Sequence, residues 1–188
     1  MEKKWLFVNS SETENKAVYR AVFAKYESYL YITLIFLVPF FLGHIKGIPN
    51  QIFVGSAVNA LLALGAIYTR GKKIFLIILL PVVAALASGL VFGPVSMFLI
   101  YFIPFIWIAN WAYVKLLRFI KNEKKMNLGL AVACASLVKA GFLLTVAFVL
   151  VSLSIVPAVF LTAMGVLQLV TAVIGGTFSA AVYKFREQ

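Results

Sequence analysis

Residues 128–156 form an apolar run that carries a single charge, Lys139, in the middle of "ASLVKAGFLL". Wound into a helix, such a run has no polar face to turn toward water, so protein or lipid must cover it on all sides. Its length favours lipid, because a bilayer core about 30 Å thick is crossed by roughly 20 helical residues. Five more stretches read the same way, and the expected spans are 28–43, 51–69, 74–93, 94–118, Leu128–Ser152 and 155–183. Composition agrees: 63% of the 188 residues are hydrophobic, 12% are charged, and the mean hydropathy is +1.02. A soluble domain is about half apolar and a quarter charged. The fold class expected is an all-α membrane protein of six transmembrane helices.

The net charge of +11 does not describe a nucleic-acid-binding face, because the basic residues gather at the ends of the apolar segments. Lys3, Lys4, Lys16, Arg20 and Lys25 lie before the first span, and Arg70, Lys72 and Lys73 follow the second. Lys115, Arg118, Lys121, Lys124 and Lys125 surround the end of the fourth, and Lys184 and Arg186 follow the sixth. Of the 17 Lys and Arg residues, only Lys46 falls on the other side, and Lys139 falls within the membrane. Basic residues are held on the cytoplasmic side, so the N-terminus and C-terminus are both expected there. Tyr26, Tyr68, Tyr113 and Tyr183 fall near that same face, where an aromatic belt belongs. The chain thus reads as one multi-pass domain of the cell (plasma) membrane. Residues 1–27 form a cytoplasmic segment with the start of helix 1, 28–183 a six-helix bundle, and 184–188 a cytoplasmic tail. Ser11 and Glu14 have capping-box spacing, which suits a helix 1 that begins before the membrane. The apolar core of "MEKKWLFVNS" is too short for a signal peptide. Pro39, Pro81 and Pro104 fall inside spans, where kinks are tolerated if neighbours satisfy the freed carbonyls.

The chemistry the chain lacks narrows its function. It has no Asp, and its carboxylates, Glu2, Glu12, Glu14, Glu27, Glu123 and Glu187, all sit in or beside cytoplasmic segments. The one His, His44, is in an outside loop, and the one Cys, Cys134, is in an apolar segment. Intramembrane proteolysis needs a Ser–His pair, paired aspartates or a zinc motif. Lipid phosphotransfer needs carboxylate-held metal, and ion-driven transport commonly uses membrane carboxylates. No P-loop is present for ATP hydrolysis. The expectation is a protein that is not an enzyme and holds no metal or cofactor. A binding subunit that borrows energy, a standalone pore or facilitator, and an accessory subunit of a larger membrane complex all remain open. An enzyme would have to rely on Ser136 and Lys139, three residues apart on one helix.

Strongly polar residues inside the spans are Asn59, Asn110, Lys139 and Gln168. Helical spacing places Asn59 on a small stripe with Gly55, Ser56, Ala63 and Ala66, and Gln168 on another with Gly165, Ala172, Gly175, Gly176 and Ser179. Lys139 shares a face with Ala131, Ala135 and Phe142. The three stripes are expected to turn inward together, so that Asn59, Lys139 and Gln168 are either interhelical hydrogen-bonding groups or the lining of a polar pocket. Asn110 and the Trp107–Trp111 pair read as packing or interface residues, whereas Tyr101 and Phe105 in "YFIPF" are candidates to stack on a ring-bearing ligand. Two readings of Lys139 stay open. If the membrane core begins near Cys134, Lys139 is about 8 Å deep and can snorkel to the inner headgroups. If it begins near Leu128, the depth is about 16 Å, and burial of the charge costs about 2.5–3.5 kcal/mol; the partner is then an anionic ligand, another subunit or nothing, and with nothing the amine tends to its neutral form.

A small six-helix chain with both ends inside and a polar interior resembles the substrate-binding S components of energy-coupling factor transporters. In "KAVYRAVFA", Ala17 and Ala21 have the AxxxA spacing by which S components dock onto a shared transmembrane subunit, and "GLVFGPVSMFL" is similar to the Gly-Pro turn between their third and fourth helices. Unlike the family's motif, Ala17 and Ala21 precede the apolar core of helix 1. The resemblance implies a vitamin-like or other small organic solute, anions included, captured from outside in the outer half of helices 4–6. It also implies a transmembrane coupling subunit and ATPase subunits as partners.

Overall fold

The structure is a computed structural model that describes residues 18, 22, 26–44, 50–124 and 126–187. Ser11, Glu14, Ala17 and Ala21, on which the early start of helix 1 and the docking motif rest, lie outside the described residues. Among the described residues 87% are helical and none lies in a strand. Its helices are α1 (Tyr26–Leu42), α2 (Asn50–Tyr68), α3 (Lys73–Ser88), α4 (Ile103–Arg118), α5 (Leu128–Ser152), α6 (Val159–Met164) and α7 (Val166–Glu187). Four helical stretches are long and apolar enough to cross a membrane: Asn50–Tyr68, Gly93–Glu123, Leu128–Ser152 and Val159–Arg186. The chain is accordingly a multi-pass membrane protein. α1 and α3 are apolar but shorter. α3 has 16 residues, about 24 Å of rise, because Gly89 (φ +65°) ends it in a left-handed turn.

Local chemistry explains where the observed helices depart from unbroken spans. The fourth segment opens as a 3₁₀ helix, Gly93–Phe102, with Pro94 in its first turn. It becomes α-helical at Ile103, where Pro104, which has no N–H to offer, occupies the first turn. The sixth segment was expected to be one helix over 155–183, and here the structure corrects the reading. Residues 153–158 form a loop, and Gly165 (φ −95°, ψ −97°) separates α6 from α7. Inside α3, Pro81 cannot donate to the preceding turn. Two side chains of α4, one turn apart, serve carbonyls in that turn: Asn110 Nδ2 donates to the Ile78 carbonyl at 3.1 Å, and Trp107 Nε1 to the Leu79 carbonyl at 3.0 Å.

α2 is the hub. Residues Asn59 to Ala66 are buried around the whole circumference of the helix, which packs most extensively on α7. That contact brings backbone against backbone. A methyl group added to Gly175 would overlap the Ser56 carbonyl and lie 2.6 Å from the Ala60 nitrogen, while one on Gly55 would lie 2.9 Å from Thr171 Cγ2. Ser179 Oγ donates across the seam to the Ala60 carbonyl at 3.0 Å. Small residues are needed here because lipid gives helices no hydrophobic reason to associate, which leaves close packing and hydrogen bonds to hold them.

The end of the bundle where α2, α4 and α7 finish is basic and aromatic. Arg118 caps α2, donating to the Ala66 and Thr69 carbonyls at 2.7 and 2.6 Å. Glu27 accepts from Arg186 and from the Tyr31 hydroxyl, fastening α1 to the end of α7. Arg186 lies 4.0 Å from the Tyr68 ring centroid, and Lys121 Nζ 3.7 Å from that of Tyr183. Tyr113 does not belong to this belt. It is fully buried on α4, because its place on the helix turns it toward α5 rather than outward.

Candidate functional site: a buried lysine between two apolar cores

The buried apolar residues fall into two clusters. One, toward the basic end, includes Leu61–Ala66 of α2, Ile77 and Ile78 of α3, Tyr113, Val114 and Leu117 of α4, and Ala131 and Ala135 of α5. The other includes Val82, Leu99, Phe102, Ile106 and Ala109, with Leu143 and Ala147 of α5 and Phe160 and Met164 of α6. On α4 and α5, two of the helices that join both clusters, the residue at the changeover is polar or charged, whereas on α3 it is Pro81. Asn110 follows Ala109 on α4, and Lys139 lies between Ala135 and Leu143 on α5. Asn59 begins the buried stretch of α2 at the same level.

Lys139 is 3% exposed, and its ammonium donates to Asn59 Oδ1 at 2.6 Å. The side chain therefore points into the bundle, not along the helix toward headgroups. The Tyr113 ring centroid is 5.4 Å from Nζ, close enough for its negative face to stabilise the cation. Asn59 Nδ2 donates in turn to Thr171 Oγ1 at 3.2 Å, and the Thr171 hydroxyl donates to the Gln168 carbonyl at 3.2 Å. This chain of bonds joins α5, α2 and α7. It brings no counter-charge, since among the described residues Glu27 is engaged by Arg186 and Glu123 is exposed on the basic side.

The polar layer faces a cavity of about 70 Å³. Lys139, Asn59, Asn110, Gln51 and Gln168 supply its polar lining, and Val82, Val91, Phe92, Leu99, Ile106 and Met164 are among its apolar walls. Asn110 Oδ1 is buried there with no hydrogen-bond partner among the described residues. Gln51 Nε2 donates at 2.7 Å to the Ala163 carbonyl, beside the Gly165 break. A broken helix is tolerated at membrane depth where its backbone groups are satisfied or line a cavity, and both conditions hold here.

The structure thus brings together Lys139, Asn59 and Gln168, and leaves out the two aromatic candidates. Tyr101 is half exposed on the 3₁₀ segment, and Phe105 packs against the second cluster, so neither lines the cavity. Phe142, expected on the inward face with Lys139, is 36% exposed, because a spacing of three residues turns it away from the lysine's own direction. Ser136 Oγ is buried beside Tyr113 and makes no hydrogen bond to Lys139. His44 is exposed, and no cluster of metal-ligating side chains occurs among the described residues. Gln51 and the pocket-facing role of Asn110 were missed from sequence. Gln51 stands at the mouth of a span, where polarity is ordinary, and the direction in which Asn110 faces is set by the Ile78 carbonyl on another helix. No protein-family model, curated protein or solved structure matches this chain.

Proposed function

We propose that this chain is a substrate-binding membrane subunit of the energy-coupling-factor type, with six membrane helices and both termini in the cytoplasm. It captures a small organic solute from outside and depends on a transmembrane coupling subunit and ATPases for transport. The observation that carries this reading is the cavity, with a buried lysine and an Asn110 oxygen that has no hydrogen-bond partner among the described residues, and with no carboxylate among its described lining residues. A lysine at such depth is costly, and intramembrane charges of this kind mark substrate pathways. The Val91–Phe92 turn at the far end of the cavity lies on the side with few basic residues, which suits entry from outside. An apolar cluster lies on either side of the polar layer, and this favours a site that holds a solute over an open pore.

The test is purification from the native membrane in mild detergent, followed by reconstitution. The expected result is co-purification with a coupling subunit and ATPases, and no solute flux through liposomes that contain this chain alone. Flux through the chain alone, with no partners recovered, would replace this reading with a facilitator.

A further inference from the structure

We propose that the cavity binds a short-chain hydroxy monocarboxylate, with its carboxylate on Lys139 and its hydroxyl donating to Asn110 Oδ1. The inference rests on the reading of this cavity as a substrate site and narrows it to a ligand class. An ammonium has three N–H donors, and the described residues provide a hydrogen-bond acceptor for one of them, Asn59 Oδ1 at 2.6 Å. Asn59 Nδ2 spends one of its two N–H groups on Thr171, so the second can join Lys139 on the same anion. The charge demanded is a single one. Lys139 is the one cation among the described lining residues, and the oxygens of Asn59 and Asn110 nearby would repel a second negative charge.

Asn110 Oδ1 adds a second requirement. Its own amide nitrogen is committed to the Ile78 carbonyl, which fixes which way the group faces and leaves the oxygen as an acceptor in the cavity. A bare halide cannot donate to it. An α-amino acid could, but would bring an ammonium beside Lys139. A hydroxyl donates without charge. The remaining walls, Val82, Leu99, Ile106 and Met164 among them, suit a short alkyl chain, and a cavity of about 70 Å³ admits only a few heavy atoms.

The probes are sodium lactate, propionate, lactamide and sodium chloride. They are added to the full chain in detergent, with thermal stability and calorimetric binding as readouts. Lactate is expected to bind and stabilise, and propionate, which lacks the hydroxyl, to bind about tenfold more weakly. Lactamide and chloride are expected to bind more weakly still. Asn59→Asp is the decisive variant because it keeps the shape and gives Lys139 an internal partner. It is expected to stabilise the ligand-free protein and weaken lactate about tenfold to a hundredfold. Equal binding of lactate to wild type and N59D overturns the inference, as does chloride or lactamide matching lactate. If lactamide wins, the cavity remains a substrate site and only the ligand class falls. If no probe binds and the protein from its native membrane carries no solute, the substrate-site reading falls as well.

Discussion

At the scale of single residues, Lys139 is set apart by what it lacks. Its ammonium has one carbonyl oxygen and one aromatic face, and a buried cation so provided is costly to keep. Lys139→Met removes that cost but leaves Asn59 Oδ1 without its donor, a loss of about 1–3 kcal/mol. The two effects oppose each other, and the variant is expected to unfold in detergent within about 1 kcal/mol of wild type. A structural lysine would behave differently, and a loss of about 3–5 kcal/mol in thermal or denaturant unfolding would assign it that role. The oddity of Lys139 was legible in the sequence, but the direction of its side chain was not. The depth of α5 in the membrane does not decide it; Asn59, 80 positions earlier in the chain, does.

At the scale of elements, the α2–α7 seam and the broken sixth segment shape the site. Gly175→Ala is expected to destabilise by about 1–3 kcal/mol, since the added methyl meets the backbone of α2 and no side chain there can move aside. Gly141→Ala on α5 is the control. Nothing lies within 4 Å of the added methyl, and helix propensity predicts a neutral change or a gain of up to about 1 kcal/mol. Equal effects at the two sites would contradict the close seam. Gln51→Leu leaves the Ala163 carbonyl without this donor, and a loss of about 1–3 kcal/mol together with weaker solute binding is expected. The small stripe of α7 was legible because Gly and Ala at intervals of three and four are read directly along a helix. The break was not, because Gly165 belongs to that same pattern and its separate role appears only where Gln51 crosses to it.

For the whole molecule, the apolar segments were legible because length and apolarity are properties of the chain alone. Their interruptions were less so. Proline positions showed where α3 lacks a backbone donor, but the bonds that Trp107 and Asn110 make to α3 required knowing which helix lies opposite. Tyr113 misled for a related reason, since position along a span gives depth and not direction. The proposed six-span arrangement, with both termini inside, predicts which loops face which side. In a Cys134→Ala background, His44→Cys should react with an impermeant thiol reagent on intact cells, and Asn122→Cys only after permeabilisation. The opposite pattern would invert the molecule and put the mouth of the cavity inside.

The most direct test of a solute-binding cavity centred on Lys139 is native mass spectrometry of the full chain extracted from its own membrane in mild detergent, beside Lys139→Met prepared identically. The expected result is a small molecule that travels with the wild-type protein and is absent from the variant, with both folded. A wild-type chain that carries nothing, or a variant that carries the same molecule equally well, would contradict it.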